Sequence, residues 1–155
     1  MLAFGLDPNY ILDGYNIMDE QHFLETDYAA ADTLQLLIDH GGDVNLEVDG
    51  ETVFEVVDFD VILDALEQEN RRRYDALVHC WFVLLGNGGK PRDGDAGLQV
   101  FDVYDEKTRM RRPFDVSLLK NHRDYTFAIT HTPARGTNWT FHIIDKYTKW
   151  EVARM

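Results

Sequence analysis

The stretch that decides the fold runs from Asp32 to Thr52, DTLQLLIDHGGDVNLEVDGET. Leu34, Leu37 and Ile38 recur at helical spacing, so an amphipathic helix is predicted. The helix stops at Gly41-Gly42. Gly41 is placed for the left-handed C′ residue, a conformation that costs other L-residues about 1–2 kcal/mol. The polar turn Asp43-Val44-Asn45 follows, and Asp49-Gly50-Glu51-Thr52 reads as a fresh start.

Upstream, the helical pattern extends back to Glu25. Thr26 or Asp27 can serve as N-cap, and Ala30 joins the apolar face. The run Ala29-Ala30-Ala31 lets a neighbouring helix approach closely. Downstream, Asp60 to Asn70 reads DVILDALEQEN, with Val61, Ile62, Ala65 and Leu66 at helical spacing and Asp60, Asp64 and Glu67 facing out. Phe54, Val57 and Phe59 supply the apolar face between the two. A further helix is predicted from Tyr74 to Leu85, where Leu77, Cys80, Trp81, Leu84 and Leu85 follow the i, i+3, i+4, i+7, i+8 rule. It runs into Leu84-Leu85-Gly86-Asn87-Gly88-Gly89-Lys90-Pro91, a second leucine-to-double-glycine ending. Two such endings predict equivalent helices lying side by side.

Residues 25 to 91 resemble a degenerate pair of ankyrin repeats. In that family a helix ending L-L-x-x-x-G-A-D-x-N passes through a turn into D-G-x-T-P-L-H. Here Gly42 stands where the family has alanine, Asp43-Val44-Asn45 matches, and Thr52-Val53-Phe54-Glu55 keeps the threonine but not the proline or histidine. The second ending matches L-L-x-x-G-A-x-P. The glycine pairs begin at 41 and 88, against a repeat of about 33 residues in the family, so an insertion of about 14 residues falls at Asp60 to Asn70. The resemblance implies a non-catalytic protein-interaction scaffold that binds through its turn tips and inner helix faces. On this chain the first tip carries Asp43, Asn45, Glu47, Asp49 and Glu51, and the second is Lys90 to Asp95. Fewer than three repeats bury too little surface to stand alone, so the remainder of the chain is expected to close the stack.

That remainder has a different period. Tyr125, Phe127 and Ile129, then Trp139, Phe141 and Ile143, alternate with other residues, which predicts antiparallel strands continued by Trp150 and Val152. Leu98 to Tyr104 reads as a further strand. His131 to Asn138 is a hairpin loop and Asp145 to Thr148 a tight turn, with Asp145 able to bond the backbone. Val103-Tyr104-Asp105-Glu106-Lys107-Thr108-Arg109 has the same plan as Ile143-Ile144-Asp145-Lys146-Tyr147-Thr148-Lys149, so both predict hairpins of one design. Pro113 to Asn121 reads as a short helix with Leu118 and Leu119 inward. The turn-rich residues 1 to 28 suit a strand or a short helix equally. The expected class is therefore α+β. An ankyrin-like helical region (1–92) packs against a small antiparallel β region (97–155) around one core, with the boundary at Pro91 to Ala96. The strands should cover the Leu77/Trp81/Leu84 face.

Composition bounds the function. At 45% hydrophobic and 28% charged residues the chain buries enough to be globular. No apolar run approaches the ~20 residues of a membrane span. The lone Cys80 allows no internal disulfide, which fits a cytoplasmic protein. Residues 1–70 contain no Lys or Arg, and all 15 lie in residues 71–155, within a net charge of −13. Such a chain repels phosphate backbones, which argues against nucleic-acid binding. Either the basic half docks on the acidic half, or an acidic surface is kept for a basic protein partner with fast, salt-sensitive association.

Catalytic templates find little support. No phosphate loop or nucleophile elbow is present, and Ser117 is the only serine. Asp43, Asn45, Glu47 and Asp49 alternate like a calcium loop but lack its sixth-position glycine and twelfth-position glutamate. Cys80 and His79 are helix neighbours about 100° apart, so Cys80 reads as a core residue. His131, His142 and Asp145 could meet across a hairpin, though strand histidines need no metal. Trp139 and Trp150 read as core residues, with interface anchors as the alternative.

The leading expectation is a non-catalytic binding module for a basic partner, one version being a bacterial immunity or inhibitor protein, with no cofactor and a monomeric or weakly dimeric state. The alternative is a small enzyme at the seam of the halves, where His122-Arg123-Asp124 is the compact polar cluster, otherwise a solvated turn. A third is a dimer built by edge-strand pairing.

Overall fold

A computed structural model describes residues 7–10, 28–48, 50–52, 59–89, 98–132 and 138–155. The expected N-caps Thr26 and Asp27, the apolar Phe54 and Val57, and the boundary loop 91–96 lie outside the described residues, as does most of 1–28. Among the described residues the chain is α+β. Helix α1 (Tyr28–Asp39) leads to a hairpin of β1 (Glu47–Val48) and β2 (Glu51–Thr52), and then to helices α2 (Phe59–Glu67) and α3 (Arg71–Gly86). Strands β3 (Gln99–Val100), β4 (Asp102–Asp105) and β5 (Met110–Pro113) precede two 3₁₀ helices, η1 (Val116–Lys120) and η2 (His122–Asp124). Strands β6 (Tyr125–Thr132), β7 (Asn138–Asp145) and β8 (Glu151–Arg154) complete the order. The main sheet is antiparallel in the order β3-β8-β7-β6, while β4 and β5 pair separately.

The three helices end in the same way. Gly42 N–H donates to Leu37 C=O (2.9 Å) and Gly41 N–H to Ile38 C=O (3.0 Å), the paired bonds of a Schellman motif. Gly89 to Leu84 (2.7 Å) and Gly88 to Leu85 (3.2 Å) repeat it at the end of α3. The turning residues Gly41 and Gly88 have φ of 98° and 83°. Helix α2 closes through Asn70 to Ala65 and Glu69 to Leu66, with the non-glycine Glu69 at φ 54°. Asn70 then caps α3, its side chain accepting from Arg73 N–H at 3.2 Å. The two double-glycine ends lie side by side. Asn87 Nδ2 donates to Gln35 Oε1 (2.7 Å), and Asn45 Nδ2 reaches Gly88 C=O (3.3 Å).

Helix α3 is the centre of the molecule. The sequence gives it one apolar face, but Ala76 to Gly86 is buried throughout. The physical reason is that α1 and α2 cover one side while the sheet and η1 cover the other. Trp81 stands edge-on to Phe127 at 5.5 Å and tilted to Phe141 at 6.2 Å, and Phe82 meets Tyr125 and Phe127. These residues belong to the alternating segments that predict strands, and the sheet covers α3 as expected. One apolar cluster runs from Ala30 and Leu34 through α3 to Ile143 and Ala153.

The remaining differences are local. Leu119 is buried but Leu118 is exposed, because adjacent side chains on a single helical turn point about 100–120° apart and only one of them can face the core. Leu66 is partly exposed and Trp150 is 52% exposed, so neither is a core residue. Leu98 to Tyr104 is not one continuous strand. It pairs with β8 up to Phe101 and with β5 beyond it.

Candidate functional site

The first tip has structural work of its own. Asp43 Oδ1 accepts from Asn45 N–H (2.9 Å), and Asp43 N–H donates to Asn9 Oδ1 (2.6 Å). Asn45 ties this turn to the next one at Gly88. Glu47 is exposed on β1 opposite Thr52. Asp49 and the Glu51 side chain lie outside the described residues. Asp43, Asn45 and Glu47 thus share one exposed edge, and Asp43 and Asn45 also hold its shape. Asp39, at the end of α1, is exposed beside this edge, while Asp64, Glu67 and Glu69 are exposed on α2 and the turn that leads into the start of α3.

At the seam, the polar triplet is not a solvated turn. His122 is 3% exposed and His79 is 5% exposed. The 3₁₀ turn of η2 directs His122 between α1 and α3. Its Nε2 lies 2.7 Å from Asp32 Oδ1, and its Nδ1 lies 2.9 Å from His79 Nδ1. Arg123 Nη2 donates to Asp32 Oδ2 at 2.6 Å. Asp124 faces elsewhere and accepts from Tyr147 Oη (3.3 Å).

Proton positions follow from the acceptors. The Arg123 guanidinium, with help from His122, holds the Asp32 carboxyl below its usual range, so it is a carboxylate. A carboxylate only accepts, so His122 carries its proton on Nε2. Its other ring nitrogen, Nδ1, makes the contact with His79 Nδ1. Burial, then the neighbouring His122 and the cations Lys146 and Arg123, pushes His79 down to about 3. His79 is therefore a neutral ring at the end of a chain that starts at the surface carboxylate of Asp32.

The pattern NHRDY pointed to His122 and Arg123, but not to Asp32 or His79, which lie 90 and 43 residues from His122. One signal for His79 exists. It is the one ionisable imidazole in the apolar run ALVHCWFVLL, and a polar group buried there needs a partner. Cys80 is fully buried, and burial pushes its thiol up to about 12, as expected of a packing residue. His142 is engaged by Thr130 Oγ1 (2.8 Å) and Glu151 Oε1 (3.0 Å). The side chains of His131 and Trp139 lie outside the described residues. Among the described residues no helix is long and apolar enough to cross a membrane.

No family model matches the chain, and no match is found among curated proteins or solved structures.

Proposed function

We propose that this chain is a non-catalytic interaction module whose acidic helical half binds a basic protein, an immunity or inhibitor type being one version. The observation that carries the reading is the absence of Lys and Arg from residues 1–70, together with the exposed acids Asp39, Asp43, Glu47, Asp64 and Glu67. The ankyrin resemblance supports it. The ends of α1 and α3 and the turn that follows α1 form one edge of the helical layer, the kind of edge that ankyrin repeats use for binding. Fixed like charges on a rigid surface steer a basic partner and hold it in a salt-dependent way.

The test is affinity capture on the immobilised chain at low and high salt. A basic partner is expected to be retained at about 0.05 M salt and released near 0.5 M, as the screening length shrinks from roughly 14 to 4 Å. The double substitution Asp39→Lys and Glu47→Lys should weaken its capture. A partner that is acidic, or that is held equally by the substituted chain at high salt, would remove the reading.

The second reading, a small enzyme at the seam, is favoured by the convergence of Asp32, His79, His122 and Arg123. It requires a substrate to reach imidazoles that are 5% and 3% exposed. The buried chain of hydrogen bonds suits a joint between the halves better than a site.

A further inference from the structure

The sheet splits at Phe101. There the N–H donates to Val152 C=O (3.0 Å) on β8, while the C=O accepts from Phe114 N–H (2.9 Å) on the β5 side. The second bond sets the phase of the β4–β5 ladder. Val103/Arg112 and Asp105/Met110 are then the hydrogen-bonded pairs, and Asp102/Pro113 and Tyr104/Arg111 the others. Pro113 fits this phase, since its missing N–H would point away from β4. Asp102 and Tyr104 consequently turn their main-chain N–H and C=O away from β5. They face Lys149 to Glu151 across a groove of about 560 Å³ that opens where β4 leaves β8.

The walls of this groove have a definite chemistry. Tyr104 and Trp150 are 47% and 52% exposed, large rings left in water on a small chain. Arg111 and Lys149 add two cations. Of the acids, Glu151 is already engaged by Arg154 (2.7 Å) and His142, which leaves Asp102 alone against the two cations. Trp, Tyr and Arg are the residue types that carry most interface energy. The outward edge of β4, where Arg111 Nη2 donates to Asp102 C=O (3.3 Å), is suited to main-chain pairing with an extended peptide once that contact yields.

We propose that the groove takes an extended, acidic segment of a protein partner, which pairs with the outward edge of β4, draws Arg111 from the Asp102 C=O onto its own carboxylates, and seats an apolar side chain between Tyr104 and Trp150. The proposal is independent of the acidic-face reading, because it uses the other half of the chain and the opposite charge.

The probe is a fluorescein-labelled synthetic peptide in which Glu alternates with Val and Tyr, compared with its counterpart carrying Lys for every Glu. Binding is measured by anisotropy and by amide chemical shifts on the full chain. The acidic peptide is expected to bind about tenfold or more tightly than the lysine peptide, and Trp150→Ala and Arg111→Glu are each expected to weaken it about tenfold. Shifts should centre on the amides of Asp102 and Tyr104 and the Trp150 indole. N-methylation of alternate peptide bonds should abolish binding. Absence of saturable binding, equal affinity for the two peptides, survival of N-methylation, or unchanged affinity in both folded variants would overturn the proposal. Both substituted side chains are exposed, and circular dichroism verifies that the variants fold.

Discussion

His79 and His122 meet Nδ1 to Nδ1 at 2.9 Å, both buried, one on the central helix and one on the 3₁₀ turn that enters the sheet. Two imidazolium rings could not keep this contact, because each would place a proton on the shared line. The bond therefore needs at least one neutral ring. Burial and the surrounding cations Lys146 and Arg123 assign that role to His79.

The consequence for stability has a definite sign. In the unfolded chain His79 takes up a proton near pH 6.5, whereas in the folded chain it does so only near 3. The unfolded state thus binds more protons between these values, and acid favours it. The contribution of His79 is whole above about pH 6.5 and is lost progressively below it, at up to about 1.4 kcal/mol per pH unit. Urea unfolding at pH 7, 6, 5 and 4 measures the slope. A chain carrying His79→Leu should lose this component, and an unchanged slope in that variant would contradict the assignment.

Asp32 and Arg123 are not equal partners. Asp32→Ala leaves the buried His122 Nε2–H without its acceptor, which should destabilise by about 1–3 kcal/mol. Arg123→Ala removes an exposed ion pair, with the arginine side chain 57% accessible, and should cost no more than about 1 kcal/mol. Equal costs in chemical denaturation would show that the ion pair, rather than the buried histidine, sets the energetics of the seam.

Gly86 marks the closest approach of α3 to η1. A Cβ built there would lie 2.3 Å from Lys120 N and 2.9 Å from Leu119 C, both main-chain atoms. Backbone cannot step aside as the tip of a flexible side chain can. Gly86→Ala is expected to cost about 3 kcal/mol, the upper end for overpacking, despite the better helix propensity of alanine. A thermal melt within a degree or two of the parent would refute the close approach.

Glu69 holds the left-handed position that glycine fills at the ends of α1 and α3. Replacing it by glycine relieves strain in the folded chain and adds freedom to the unfolded one. The net expectation is a gain of about 0.5–1 kcal/mol. Arg109 and Lys149, at φ 55° and 64°, occupy the matching place in the two like-designed hairpins, and glycine there should act in the same direction. A loss of stability at Glu69 would mean that its side chain makes a contact worth more than the strain.

The helices and strands were legible because each carries its own period, and the double glycines because a left-handed residue is a local demand. The design shared by Asp105 and Asp145 was legible for the same reason, and both carboxylates accept the N–H two residues on. What the pattern left out is tertiary. Helix α3 reads as one-sided because Leu77, Trp81 and Leu84 satisfy the helical rule, yet Val78, Phe82 and Val83 are equally apolar and find a second layer to cover them. Leu118 and Leu119 look equivalent, but adjacent side chains on one turn diverge and only Leu119 meets the core. Trp150 reads as core by residue type, but strand β4 turns away beside it. Of the seam, His122 and Arg123 were visible as a polar knot. Asp32 looks like any solvated helical acid, and its role depends on a residue distant in sequence.

A rod buried on every side leaves neither half self-sufficient. If the link near residues 91–97 were nicked and the pieces parted, the first would expose the face of α3 that the sheet and η1 cover, and the second the apolar sheet face that packs on it. The pieces should stay together in native solution and part only when both lose their shape, so heating should show one transition rather than two.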